Sequence, residues 1–141
     1  MILLDTHVVS EVMKARPAEA VVAWLNGQDS EKLYVSSITI GEIAYALRLL
    51  PDGKRRSGLR QRFEQFIALA FDQRVLNYDE SAARIFGELM GDRKELGLPM
   101  SVPDGQIAAI ARRDHLSVAT RNVLDFEDCG IEVINPFELT P

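Results

Sequence analysis

A chain of 141 residues, 47% of them hydrophobic, is long enough for one domain with a real core and too short for two ordinary ones. Its net charge of -5 argues against nucleic-acid binding through overall basicity, and its single cysteine, Cys129, excludes an intrachain disulfide and the usual zinc spacings. The opening Met1-Ile2-Leu3-Leu4-Asp5 carries neither a basic leader nor a long apolar stretch, and nothing later approaches the ~20 apolar residues of a membrane span, so a soluble, cytoplasmic protein is expected.

Residues 1–5 form a short unbroken apolar run that predicts a buried strand, and a helix follows from about Thr6, whose hydroxyl is placed to cap it. Pro17 fits the first turn of a second helix, with Val21, Val22, Trp24 and Leu25 on its buried side. Residues 32–37 read as the next strand. A helix over residues 39–50 then turns Ile40, Ile43, Ala44 and Leu47 inward by their three-and-four spacing, and Pro51-Asp52-Gly53 breaks it. Leu59, Phe63, Phe66, Ile67 and Ala70 mark another amphipathic helix ending near Phe71, and residues 74–77 are a short strand candidate. Asp79 or Ser81 caps a helix carrying Ala82, Ile85, Phe86, Leu89 and Met90 that ends near Gly97. A loop from Pro99 to Pro103 leads to a helix opened by Asp104. Residues 116–120 are a strand, Arg121-Asn122 a turn, and residues 131–134 a last strand closed by Asn135-Pro136. Strands alternating with helices predict a three-layer α/β sandwich with a mainly parallel five-stranded sheet, as one domain over residues 1–141 and without internal repeats.

Three acids recur where a strand-like run gives way to a helical pattern: Asp5, Glu42 and Asp104. If the strands are parallel, all three meet at one edge of the sheet, beyond the carboxyl ends of the strands, where such folds bind ligands. Carboxylates gathered without compensation repel and raise one another's pKa, so their convergence implies a bound cation, and oxygen-only ligands point to magnesium or manganese. Taken singly, Asp104 reads as a helix cap and Glu42 as a solvent-facing helix residue. Lys54, Arg55, Arg56, Arg60 and Arg62 form a separate basic stretch, which also reads as a solvated loop and helix face.

The segments Ile2 to Glu11, Ser37 to Ile43, Pro103 to Ala109 and Val118 to Phe126, taken in order, resemble the successive motifs of PIN-domain ribonucleases, and within them the VapC toxins of the FitB-like group. The resemblance implies a magnesium- or manganese-dependent endoribonuclease that cuts RNA as the toxin of a toxin-antitoxin pair. It places Asp5, Glu42 and Asp104 at the first three acidic positions of the family's site. At the fourth, where the family commonly has aspartate after a Thr-Arg pair, this chain has Asn122, and the next acid is Asp125. Asn122 offers an oxygen without charge, and Asp125 either replaces it or is a structural residue of the turn. His7 stands where the family usually has asparagine.

On these residues the expected chemistry is phosphodiester hydrolysis with Asp5 and Asp104 as principal metal ligands and Glu42 as a further ligand or as the group that orients or deprotonates water. Thr6, Ser10, Thr39 and Thr120 are candidates for bonding to the acids or to phosphate, or for helix capping. Arg121 and the basic stretch are candidate phosphate contacts, whereas Arg112 and Arg113 suit a solvated helix end. The resemblance further implies an antitoxin partner, DNA contact only through that partner, and a homodimer with higher-order assembly. The alternatives are a PIN-like RNA- or protein-binding module that has lost catalysis through Asn122, and a doubly wound phosphatase with Asp5 as nucleophile, which His7 disfavours because a second aspartate usually stands two residues on.

Overall fold

The computed structural model of the chain describes residues 1–138. Five strands, β1 (Ile2–Leu4), β2 (Leu33–Ser36), β3 (Val75–Leu76), β4 (Ser117–Ala119) and β5 (Val133–Ile134), form one sheet in the order β3-β2-β1-β4-β5. Every pairing is parallel, with Leu3 opposite Tyr34 on one side and Val118 on the other. The expected α/β sandwich is therefore present, with a sheet that is parallel throughout.

Adjacent residues of a strand point to opposite faces, and the core divides accordingly. Leu3 and Val118 pack with Leu89, Ile107, Ile110 and Phe126 under α5 (Glu80–Glu95) and α6 (Val102–Arg113). Leu4, Val35 and Ala119 pack with Val8, Val9, Ile43, Leu47 and Phe63 under α1 (Thr6–Val12), α2 (Glu19–Asn26), α3 (Ser37–Leu49) and α4 (Lys54–Ala70). The two helices on the first face approach closely because Gly105 has no side chain: a Cβ there would lie 2.5 Å from Met90 Sδ and 2.9 Å from the Phe86 ring.

Several element starts differ from expectation, each for a local reason. Asp5, not Thr6, caps α1, accepting from the Val8 amide at 3.0 Å. Helix α2 begins at Glu19, after Pro17. Ser36 caps α3, which starts two residues earlier than predicted, and Ala44 on that helix is exposed. Helix α4 starts at Lys54, so the basic stretch is helical. Helix α6 starts at Val102 with Ser101 as its cap, which puts Pro103 within the first turn and Asp104 at the third helical position. Proline suits a first helical turn because its missing N–H has no intrahelical partner there. The turn after β4 continues into a short 3-10 helix, Val123–Phe126.

Candidate active site

The chain leaves β1 toward β2 on one side and reaches β4 on the other, so the strand order reverses between β1 and β4. A crevice beyond the strand ends is expected at such a point. Asp5 follows β1 there, its amide bonded to Ala119 O at 3.0 Å, and Thr120 follows β4 beside it.

Asp5 is 2% exposed. Burial raises its pKa above the ordinary carboxylate range, and the negative charge of Asp104 adds to this; hydrogen bonds from Thr120 and the Val8 amide and the charge of His7 oppose it. Asp104 is half-buried and also shifted upward, first by burial and then by the charges of Asp125 and Glu42, with a Ser101 hydrogen bond and His7 opposing. Each of these groups is close enough to perturb another. The structure thus brings Asp5, Glu42, Asp104 and Asp125 toward one edge of the sheet, although they come from the junction of β1 and α1, from α3, from α6 and from the 3-10 helix. His7, exposed on α1, favours the ionised forms of both Asp5 and Asp104.

Hydroxyls hold this cluster from beneath. Thr6 Oγ1 donates to Glu42 Oε1 at 2.7 Å and lies 3.1 Å from Thr39 Oγ1, which is buried with Ser36. Thr120, also buried, bonds Asp5 and accepts the Asn122 amide through Oγ1 at 3.0 Å. Asn122 O in turn accepts the Asp125 amide at 3.0 Å. The exposed Arg121 lies over the Phe137 ring, 4.6 Å from its centroid, and shares a surface cleft with Asn122 and Asp125. Ser10 lines a groove that begins at Thr6 and Glu42. Arg113 is anchored to Asp79, Asp114 and the Asn77 carbonyl, a structural arrangement remote from the acids.

Sequence reasoning missed Arg93. It is 3% exposed, and its guanidinium donates through Nη1 to the carbonyls of Leu124 (3.4 Å) and Glu127, which flank Asp125. No carboxylate pairs with it among the described residues, and its buried Nε has no partner. Arg93 continues the inward stripe Ala82, Phe86, Leu89 of α5 at three-and-four spacing, which is the signal that could have placed it inside; its partners at Leu124 and Glu127 are visible only in the fold.

The donor set was tested against a divalent cation. All four converging side chains offer carboxylate oxygen, and among the described residues none of them pairs with a lysine or arginine. Among the described residues no three His, Cys, Asp or Glu side chains lie close enough to enclose an ion by themselves. A magnesium ion there would be held by one or two of the carboxylates, with water and substrate phosphate completing its shell.

Comparison with known proteins gives the family of the chain. A family model described as PIN domain matches residues 2–128. The VapC ribonuclease Y4jK of Sinorhizobium fredii is 43% identical over 138 residues, covering 98% of this chain and 99% of the relative. Toxin FitB of Neisseria gonorrhoeae is 40% identical over 137 residues, covering 97% and 99%. A solved structure of FitAB bound to an IR36 DNA fragment contains a chain that superposes with a TM-score of 0.93 at 39% identity, covering 100% of this chain and 99% of its own.

Proposed function

The chain belongs to the PIN domain family, and on that premise we propose that it is a magnesium- or manganese-dependent endoribonuclease, the toxin of a toxin-antitoxin pair, built as a single domain whose expected end, residues 139–141, lies outside the described residues. The observation that carries this function is the meeting of Asp5, Glu42, Asp104 and Asp125 at one sheet edge with no basic side chain paired to them among the described residues. Full-length likeness to proteins named VapC ribonuclease and FitB toxin supports the same activity.

In the proposed mechanism Asp5 and Asp104 are the principal ligands of the cation, and Glu42 is a further ligand or the base. When bound, the cation lowers the pKa of water and neutralises charge on the phosphate and the leaving oxygen. Asp5 is held for this task by Val8 and Thr120. Thr6 fixes one oxygen of Glu42, so the carboxylate is oriented to position or deprotonate the attacking water. Asp125, whose charge is felt by Asp104, is the candidate for the fourth negative charge that Asn122 lacks. Thr6, Arg121 and Asn122 are the proposed substrate contacts.

The proposed partner is a cognate antitoxin that inserts an arginine among Asp5, Glu42 and Asp104, because a guanidinium pairs bidentately with carboxylate and competes with the metal for its oxygens. DNA is then contacted through the antitoxin and not by this acidic chain alone. A homodimer, able to join higher-order complexes with the antitoxin, is also proposed, and the exposed apolar side chains Tyr45, Leu49 and Leu69 on α3 and α4 support it. Among the described residues no helix is long and apolar enough to cross a membrane. Partner-free protein should cleave RNA in the presence of magnesium or manganese, and Asp5→Asn should abolish cleavage. An inactive wild-type protein that still binds RNA or its neighbouring gene product would return the chain to the binding-module alternative.

A further inference from the structure

A groove of about 410 Å³ runs from Thr6 and Glu42 across Leu47 and Leu59 to Arg55 and Arg62. We propose that Arg55 and Arg62 bind backbone phosphates of single-stranded RNA beside the scissile bond, making this groove the substrate channel; the inference rests on the RNA-cleaving function above. Arg55, Leu59 and Arg62 are spaced by four and three residues on α4, which places them on one face of the helix. Both arginines are exposed, and among the described residues neither has a carboxylate partner. The neighbouring Arg56 is different: it donates to the carbonyls of Arg48 and Leu50 and pairs with Asp52, so it holds the turn between α3 and α4. Lys14 also reaches the groove but is paired with Glu11. Of the five residues of the basic stretch, Arg56 is thus structural, Arg55 and Arg62 line the groove, and Lys54 and Arg60 lie outside it.

Charge and continuity identify the occupant. A strand whose reacting phosphate sits among the acids must leave along an adjoining surface, and this groove begins at Glu42. Guanidinium groups suit phosphate oxygens, and the floor between them is aliphatic, with no aromatic side chain to stack a base. Such a channel holds the backbone and leaves base sequence unread.

The test uses full-length protein and a short single-stranded RNA of mixed sequence. Binding is read across a salt series in an Asp5→Asn background, where cleavage is silenced, and cleavage kinetics are read in the active protein. Arg55→Ala with Arg62→Ala should reduce the slope of log affinity against log salt by about 1.4, from two lost phosphate contacts on a single strand. In the active protein the same pair should raise KM at least five-fold, roughly, with kcat changed far less, and lysine at both positions should restore much of the loss. Lys54→Ala with Arg60→Ala removes the same charge outside the groove and should have a clearly smaller effect. An unchanged salt slope in the groove variant, or an equal effect from the control pair, would overturn the proposal. So would intact RNA binding accompanied by weakened binding of the neighbouring gene product, which would assign the two arginines to a protein partner. Because binding is measured without turnover, an inactive wild-type protein would refute the nuclease function alone.

Discussion

Thr6 Oγ1 donates to Glu42 Oε1 at 2.7 Å across 36 residues of sequence, so the helix that follows Asp5 also holds the acid carried by α3. Thr6→Val keeps the shape and removes the donor. Support of this kind is commonly worth 10- to 100-fold in activity or metal affinity, and a loss of roughly that size in kcat/KM is expected, with Thr6→Ser close to wild type. Steady-state RNA cleavage checks the pair; equal activity in both variants would leave Glu42 independent of Thr6.

The fourth acidic position is tested by two substitutions. If Asp125 supplies the charge that Asn122 lacks, Asp125→Asn should weaken magnesium or manganese binding markedly, whereas Asn122→Asp should preserve or increase it. Titration calorimetry of each variant gives the answer, and unchanged affinity in both would mean that three acids suffice.

Arg93 offers a prediction about positioning. Its guanidinium bonds the carbonyls on either side of Asp125, and Arg93→Met leaves them without that donor. Leu124 O keeps the Glu127 amide and Glu127 O keeps Cys129 Sγ, so the expected cost is that of losing a charged donor, about 1.5–3 kcal/mol, together with weaker metal binding as Asp125 shifts. Thermal melting and metal titration read the two effects; a variant as stable as wild type with full metal affinity would remove Arg93 from the account of the site.

The parallel sheet was legible in the alternation of strand and helix patterns, and Asp5 in the step from β1 to α1. Glu42 and Asp104 do not stand at such steps: Glu42 is the sixth residue of α3, and α6 follows α5 with no strand between them, so the fold and not the local pattern carries these two toward Asp5. Contacts between distant segments were not legible. Nothing in the local pattern separates Arg56, spent on the turn, from Arg55, which faces the groove. Thr6 looked like a helix cap because it stands at a helix start, yet Asp5 takes that role and frees the hydroxyl for Glu42. Pro103 was read as ending a loop, although a proline is equally at home in a first helical turn, where Ser101 caps the helix.

Glu11 gives a pH dependence away from the acid cluster. It is buried at the end of α1, and its carboxylate accepts from Lys14 Nζ at 2.9 Å and from the Ala18 amide at 3.0 Å. The Lys14 bond lowers its pKa, with burial opposing and the Ala18 bond assisting. A lowered folded-state pKa contributes stability above the unfolded value, lost as the pH falls through the folded one. Glu11→Gln should therefore cost about 1–2 kcal/mol at neutral pH, discounted for the exposed Lys14, and the difference from wild type should vanish as the pH drops below the ordinary carboxylate range. Denaturant unfolding across acidic pH measures it, and a difference that persists there would show that the carboxylate charge is not its source.

The central claim is that the acids at the β1–β4 switch point cut RNA through a bound divalent cation. It is tested most directly by following RNA cleavage by metal-free, partner-free protein as magnesium or manganese is added and then chelated. Cleavage that appears with the metal, stops in excess chelator and is absent from Asp5→Asn at every metal concentration is the expected result; full cleavage by the metal-free protein in excess chelator would contradict the account.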